Sequence, residues 1–251
     1  MKIRIKFAKY GTMKFIGHLD MMRFFQKAIR RADIDVRYTE GFSPHQVMSF
    51  AAPLGVGLES AGEYLDIEVN SLLSTHKMKD ALNGVMVEGL RILSVKALPD
   101  NVKNAMASVA AARYHVRAAG HSLAIENISG KLSAFYAQEQ IPVIKQTKKS
   151  TLELDLKPAI YELDIKEVSS PFYPQPGAYP VISMLVNASS SGNIKPVMVL
   201  EALCSYCGME YTPQAYQITR METYTTGEEA PFIPLEAVGS DYPGGSHHAD
   251  A

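Results

Sequence analysis

The chain has 251 residues, 47% of them hydrophobic and 20% charged, which is ordinary for folded domains and allows one large domain or two smaller ones. No apolar run approaches the roughly 20 residues of a membrane helix, and residues 1–7 alternate apolar with basic side chains, unlike a secretory signal. Two cysteines are too few for a disulfide framework. We therefore expect a cytoplasmic protein with no membrane partner.

Charge is unevenly distributed along the chain. Residues 1–150 hold 21 Lys and Arg against 13 Asp and Glu, a net of +8, whereas residues 151–251 hold 4 against 13, a net of −9. Such asymmetry is typical of a basic working face for phosphate or nucleic acid. An acidic C-terminal segment that serves solubility is the alternative, because residues 201–251 contain one Arg and eight acids.

The first part of the chain predicts the order β-α-β-β-α-β. Alternation of Ile3, Ile5 and Phe7 with basic residues indicates a strand with a basic outer face. From residue 18 to 32 apolar residues recur at helical spacing. The same reasoning predicts strands at 34–38, 63–69 and 89–98, an extended segment at 46–51 and a helix at 72–83.

The second part repeats this pattern. It predicts strands at 113–118, 141–147, 152–156, 160–165, 180–186 and 216–224, and helices at 122–138 and 196–203. We therefore predict an α+β protein of tandem ferredoxin-like (split βαβ) domains, each an antiparallel sheet with helices on one face. The predicted domains are 1–98, with a long Gly/Pro loop at 39–60, and 112–224. A linker at 99–111 and a disordered acidic tail at 225–251 complete the organisation.

The 39–60 loop combines turn-forming residues with reactive side chains. In the predicted fold the start of the preceding helix could come near this loop, so we expect His18 and Asp20 to form one cluster with Glu40 and His45. A histidine beside a carboxylate can perform acid–base chemistry, but a helix cap or a loop contact explains these residues more simply. They form no compact metal-binding motif, so we expect no metal and no cofactor. The candidate binding residues are His18, Asp20, Arg23, Arg30, Arg31, Thr39, Glu40, Gly41, Phe42, Ser43 and His45.

Several side chains in this region have two interpretations. The glycines of the loop could present N–H groups to a phosphate, or could simply permit turns. Phe42 is the better candidate for stacking on a base, whereas Phe50 is expected in the core. The basic residues of the helix and of the first strand could bind RNA, or could form an ordinary solvated face. Cys204 and Cys207 are expected to be partly buried thiols, since a zinc site needs four ligands.

Two motifs carry a resemblance to a known family. They are Phe15-Ile16-Gly17-His18-Leu19-Asp20 and Thr39-Glu40-Gly41-Phe42-Ser43-Pro44-His45, continued by Ser49-Phe50-Ala51, Pro53-Leu54, Val56-Gly57 and Glu63-Tyr64. The chain resembles, over about residues 1–200, the radical-SAM-associated family, a bacterial domain of unknown function. That domain stands alone or is fused behind a radical SAM enzyme, often beside ribonuclease E/G-type genes.

The resemblance implies an accessory protein that works with a separate radical SAM enzyme and recognises RNA or a ribosome-related substrate. The alternatives are an RNA-acting enzyme that uses His18 or His45, and a pure protein–protein adaptor. Gln46 and Val47 stand where the family usually has Pro and then Lys or Arg. The chain also lacks the Cys-x3-Cys-x2-Cys motif of the radical enzymes themselves.

Overall fold

The computed structural model describes residues 1–119, 124–146, 151–172 and 177–244. Its helices and strands are β1 (Lys2–Lys9), α1 (His18–Arg31), β2 (Met48–Phe50), β3 (Glu59–Glu68), α2 (Thr75–Asn83), β4 (Leu90–Leu98), α3 (Ala105–Ser108), β5 (Ala111–Ala118), α4 (Ala124–Tyr136), β6 (Pro142–Gln146), β7 (Thr151–Asp155), β8 (Ile160–Val168), β9 (Tyr179–Asn187), α5 (Pro196–Tyr206), β10 (Tyr216–Thr225) and β11 (Ile233–Pro234). Unit 1 comprises Met1–Val109 and Thr223–Ala251, and unit 2 comprises Ala110–Glu222.

Unit 1 has the ferredoxin-like strand order. β1 lies between β4 and β3, β2 pairs with β3, and all three pairings are antiparallel, which gives the order β4-β1-β3-β2. α1 connects β1 to β2 and α2 connects β3 to β4, so each helix belongs to a split βαβ unit. The predicted fold class is confirmed for this unit.

Both helices of unit 1 pack on the same face of its sheet. The core contains Phe7 of β1, Phe25 of α1 and Phe50 of β2, together with Met78 and Leu82 of α2. The ring centroid of Phe25 lies 4.7 Å from that of Phe7 and 5.7 Å from that of Phe50. The position predicted for Phe50 is therefore confirmed.

The opposite face of this sheet is also covered. Arg4 is fully buried and forms two hydrogen bonds with the Asp66 carboxylate, at 2.8 and 2.9 Å. Its Nη1 donates to the carbonyl of Leu235 at 2.7 Å, and Lys6 forms an ion pair with Glu236 at 2.7 Å. The prediction that β1 has a basic, solvent-exposed outer face is therefore wrong, because the C-terminal segment covers that face.

The second strand of the unit is shorter and later than predicted. Within the described part of the chain, residues 34–38 make two isolated bridges, Val36 with Val69 and Tyr38 with Gln46. Side-chain bonds hold this segment, since the Asp35 carboxylate accepts hydrogen bonds from Asn70 at 2.8 Å and Ser71 at 2.7 Å. These bonds lower the pKa of Asp35. The paired strand is β2, inside the extended segment predicted at 46–51.

Unit 2 repeats the order with an insertion. Its strands are arranged β10-β5-β9-β8, with α4 after β5 and α5 after β9. The antiparallel hairpin of β6 and β7 stands between α4 and β8 and forms a separate two-stranded sheet. The second ferredoxin-like prediction is thus confirmed, and the hairpin explains the two additional strands expected from the sequence.

The segments outside the two sheets differ from expectation. Residues 225–244, predicted to be a disordered tail, contain β11 and a short 3-10 helix, Leu235–Val238, whose Leu235 is fully buried. Ser240 pairs with Ala97 of β4. The expected linker at 99–111 contains α3 and the start of β5. The predicted tail at 245–251 and the predicted helix and strand ends at 122–123 and 147 lie outside the described residues.

Candidate nucleic-acid interface

The solvent-facing side of α1 carries a row of cations. Arg23, Lys27, Arg30 and Arg31 are exposed and recur three or four residues apart, so that they share one face of the helix. Arg23 forms an ion pair with Asp20 at 3.3 Å, but both side chains are about two-thirds exposed, at 69% and 67%, so water screens the pair.

The other three cations of this row, Lys27, Arg30 and Arg31, have no acidic partner anywhere in the described ranges of the chain. Arg30 and Arg31 lie in the last turn of α1, where the helix dipole favours positive charge. The helix dipole therefore stabilises Arg30 and Arg31 at this end of α1. The charge of both side chains remains available to an anion. We call the four residues Arg23, Lys27, Arg30 and Arg31 the α1 cation row.

The 39–45 loop is closed at its base by three hydrogen bonds. The Thr39 N–H donates to the His45 carbonyl at 2.8 Å, and the His45 N–H donates to Thr39 Oγ1 at 3.1 Å. The His45 ring adds a third bond, between Nδ1 and Thr39 Oγ1 at 3.1 Å. Gly41 has a φ of +109°, which only glycine adopts without strain, and it turns the chain at the tip.

The tip of the loop is open to solvent. Phe42 is exposed as fully as in an extended peptide, at 113%, and Glu40 and Ser43 beside it are also exposed. An exposed aromatic ring at a loop tip is available for stacking on a flat ligand. The stacking role predicted for Phe42 remains a prediction that its position favours.

The loop meets the second half of α1, and a small pocket open to solvent lies between them. The pocket has a volume of about 170 Å³ and is lined by Gln26, Arg30, Tyr38, Pro44, His45 and Gln46. Gln46 is only 4% exposed, and its Nε2 donates to the Gln26 carbonyl at 3.2 Å. Its Oε1 is buried and accepts no hydrogen bond from any residue that the structure describes. We call this site the α1–loop pocket.

The structure separates residues that the sequence placed in one cluster. His18 packs edge-on against Phe50, with ring centroids 5.4 Å apart. The loop instead contacts α1 at Gln26 and Arg30, which lie roughly 12 to 18 Å farther along the helix axis at about 1.5 Å per residue. A joint His18–His45 centre is therefore wrong. No group of three or more His, Cys, Asp or Glu in the described ranges is arranged to hold a metal ion.

Two further interpretations can now be decided. The Gly57 N–H donates to the Lys14 carbonyl at 2.9 Å and the φ of Gly57 is +89°, so this glycine makes a turn and does not cradle a phosphate. Cys204 is buried with its sulfur 3.3 Å from the Tyr216 hydroxyl, and burial raises the pKa of Cys207. A reactive thiol needs a lowered pKa, so the buried-thiol interpretation is favoured.

Sequence reasoning did not identify Gln26, Tyr38 or Gln46 as members of the site. Tyr38 and Gln46 are paired across the base of the loop, and Gln26 lies on the helix beside them. Tyr38 and Gln46 could have been identified from the sequence, because they flank a closed loop. Gln26 could not, because the helix position that faces the loop depends on the tertiary fold.

Comparison with known proteins gives a family and little else. A search of curated proteins finds no match. Among solved structures, the crystal structure of the first two RRM domains of the yeast poly(U)-binding protein Pub1 is similar at 9% identity and a TM-score of 0.20, covering 88% of this chain and 98% of that chain. Such values carry no argument about function.

No helix in the described ranges is long and apolar enough to span a membrane. The family described as "Uncharacterized protein conserved in bacteria (DUF2344)" matches residues 2–196. Because this match covers more than half of the 251 residues, the chain belongs to the DUF2344 family.

Proposed function

We propose that unit 1 binds single-stranded RNA through the α1 cation row and the 39–45 loop. One observation carries the proposal: Lys27, Arg30 and Arg31, which have no acidic partner among the described residues, lie on the helix that the loop contacts. Cations neutralise backbone phosphates, and an exposed ring such as Phe42 stacks on an unpaired base.

The helix side is favoured over the sheet because the sheet face is occupied. RNA-binding modules with a four-stranded sheet stack bases on aromatic residues of the open face. In unit 1 the corresponding face holds the buried Arg4–Asp66 pair, covered by the carbonyl of Leu235. RNA on that face would have to displace the C-terminal segment, whereas the α1 surface is already exposed.

Fluorescence anisotropy with a labelled single-stranded RNA tests the proposal through its salt dependence. For three phosphate contacts log K falls with log salt at a slope of roughly −2.1, so affinity drops about 18-fold between about 50 and 200 mM salt. The double variant Arg30→Ala, Arg31→Ala retains only the phosphate contact of Lys27. The same increase in salt should then lower its affinity for RNA by only about 2.6-fold.

The matched control removes two cations elsewhere in unit 1. Lys77→Ala with Arg91→Ala makes the same change in charge at exposed positions of α2 and β4. We expect this variant to retain the steep salt dependence. Equal effects of the two double variants would indicate non-specific attraction, and absence of binding at low salt would refute the proposal.

We further propose that the RNA-bound chain works beside a separate radical SAM enzyme. Support for this step comes from the resemblance at the 15–20 and 39–45 motifs, while the chain's two cysteines cannot supply the three-cysteine motif of such an enzyme. A pull-down from native lysate, with and without nuclease, tests it by identifying bound protein and RNA. Recovery of RNA without any radical SAM enzyme would contradict the partnership and leave RNA binding intact.

A further inference from the structure

The α1–loop pocket contains hydrogen-bond donors and lacks carboxylates. Arg30 contributes an exposed guanidinium group with no acidic partner in the described residues, and Tyr38 contributes a hydroxyl on a side chain that is 44% exposed. The lining residues include no Asp or Glu. Arginine is suited to phosphate because its planar donors match two oxygens at once.

His45 is held in an orientation that supplies a third donor. His45 Nδ1 lies 3.1 Å from Thr39 Oγ1 and 3.4 Å from the Ser43 carbonyl oxygen, so the loop itself occupies this ring nitrogen. The other ring nitrogen, Nε2, is the one left for a ligand. It carries a proton in the tautomer whose Nδ1 accepts the Thr39 hydroxyl, and in the imidazolium form. Thr39 is therefore a positioning residue for His45.

Gln46 fixes the position of the Tyr38 hydroxyl at this pocket. The acceptor Gln26 O sets the orientation of the Gln46 amide, because only the NH₂ end can donate to it. The same Nε2 donates to the Tyr38 hydroxyl oxygen at 3.5 Å. The hydroxyl hydrogen of Tyr38 therefore stays available to a ligand.

The pocket is small and open to solvent. Its volume of about 170 Å³ is below the roughly 300 Å³ at which pockets for whole small molecules begin. A phosphate group fits this size, whereas the rest of a nucleotide would extend out of the open side.

We propose that the α1–loop pocket binds the terminal phosphomonoester of an RNA chain, with Arg30, Tyr38 and His45 as donors to the phosphate. This inference rests on the proposed RNA binding and adds that the protein recognises an RNA end. A terminal phosphate differs from the internal phosphodiester because it carries a further ionisable oxygen, which a site with several donors favours.

The test compares one single-stranded RNA sequence with a 5′-hydroxyl, a 5′-phosphate or a 3′-phosphate, using the full chain. One phosphorylated end should bind about tenfold more tightly than the hydroxyl end, as expected for a hydrogen bond to a charged group. A nucleoside monophosphate should compete for this gain, and the corresponding nucleoside should not. These arms identify which phosphate source the pocket accepts.

Tyr38→Phe removes one donor and keeps the ring, and it should abolish most of the preference for the phosphorylated end. Tyr206→Phe is the matched control, since Tyr206 is similarly exposed, at 42%, and lies in unit 2. Thermal unfolding of both variants confirms that each is folded.

Equal affinity for all three RNA ends, with RNA binding retained, would overturn the inference and leave the proposed function intact. Absence of binding to every RNA would instead overturn the proposed function. In that case, competition between a nucleoside monophosphate and a labelled analogue would still support a phosphomonoester site, and its absence would exclude one.

Discussion

Asp66→Ala is expected to lower the free energy of unfolding of unit 1 by about 3–5 kcal/mol, because it leaves a buried cation without its anion. The Asp66 carboxylate accepts two hydrogen bonds from Arg4, which is fully buried, and a third from the Ala105 N–H at 2.7 Å. The remaining partners of Arg4 are carbonyls of Leu235 and Lys103, which cannot neutralise its charge. For a chain of this size the loss corresponds to a decrease in Tm of roughly 10 °C.

Equilibrium urea unfolding followed by circular dichroism measures this effect, with Glu68→Ala as the matched control. Glu68 lies two residues along β3 and pairs with Arg37 at 2.9 Å, but those side chains are 30% and 54% exposed. An exposed pair contributes at most about 1 kcal/mol. Similar losses for Asp66→Ala and Glu68→Ala, or a loss below about 1 kcal/mol for Asp66→Ala, would refute the importance assigned to burial.

Three further predictions concern other parts of the chain. Burial, followed by the charge of Arg113, lowers the pKa of His115 to about 4. The unfolded chain therefore takes up a proton at this residue before the folded chain does, and the free energy of unfolding should decrease as pH falls from about 6.5 towards 4. Urea midpoints measured across this range should depend less on pH for His115→Gln. Gly89→Ala should destabilise unit 1 by at least about 2 kcal/mol in urea unfolding, because φ is +87° and a Cβ would lie 2.6 Å from the Tyr10 carbonyl oxygen. Gly130→Ala should raise the Tm through a gain of about 0.5–1 kcal/mol, since this glycine lies inside α4 and a Cβ there meets no atom within 4 Å; a lower Tm would contradict it.

Local periodicity was sufficient to predict the order of strands and helices within the two ferredoxin-like repeats, but not β11. The alternation of Ile3, Ile5 and Phe7 and the helical spacing around Phe25 come from residues that all face one core. The role of Arg4 could not be predicted in this way. Its covering carbonyl belongs to Leu235, 231 residues away in sequence, and no local pattern indicates that a strand has two buried faces.

The candidate site was predictable to the extent that the loop is a local structure. The turn at Gly41 and the exposure of Phe42 follow from loop chemistry, and the pairing of Thr39 with His45 joins residues six positions apart. Which turn of α1 the loop contacts depends on how the helix packs on the sheet. Sequence reasoning therefore placed His18 with His45, whereas the fold places Arg30 there.

The return of the C-terminal segment to unit 1 has a consequence for synthesis on the ribosome. Unit 1 takes residues from both sides of Ala110–Glu222, so unit 2 is translated completely before Leu235 exists. A nascent chain that ends before this point holds the Arg4 guanidinium without its 2.7 Å carbonyl partner. Unit 2 can therefore complete its fold first, and the earliest-made strand of the protein, β1, is among the last to obtain its full set of partners.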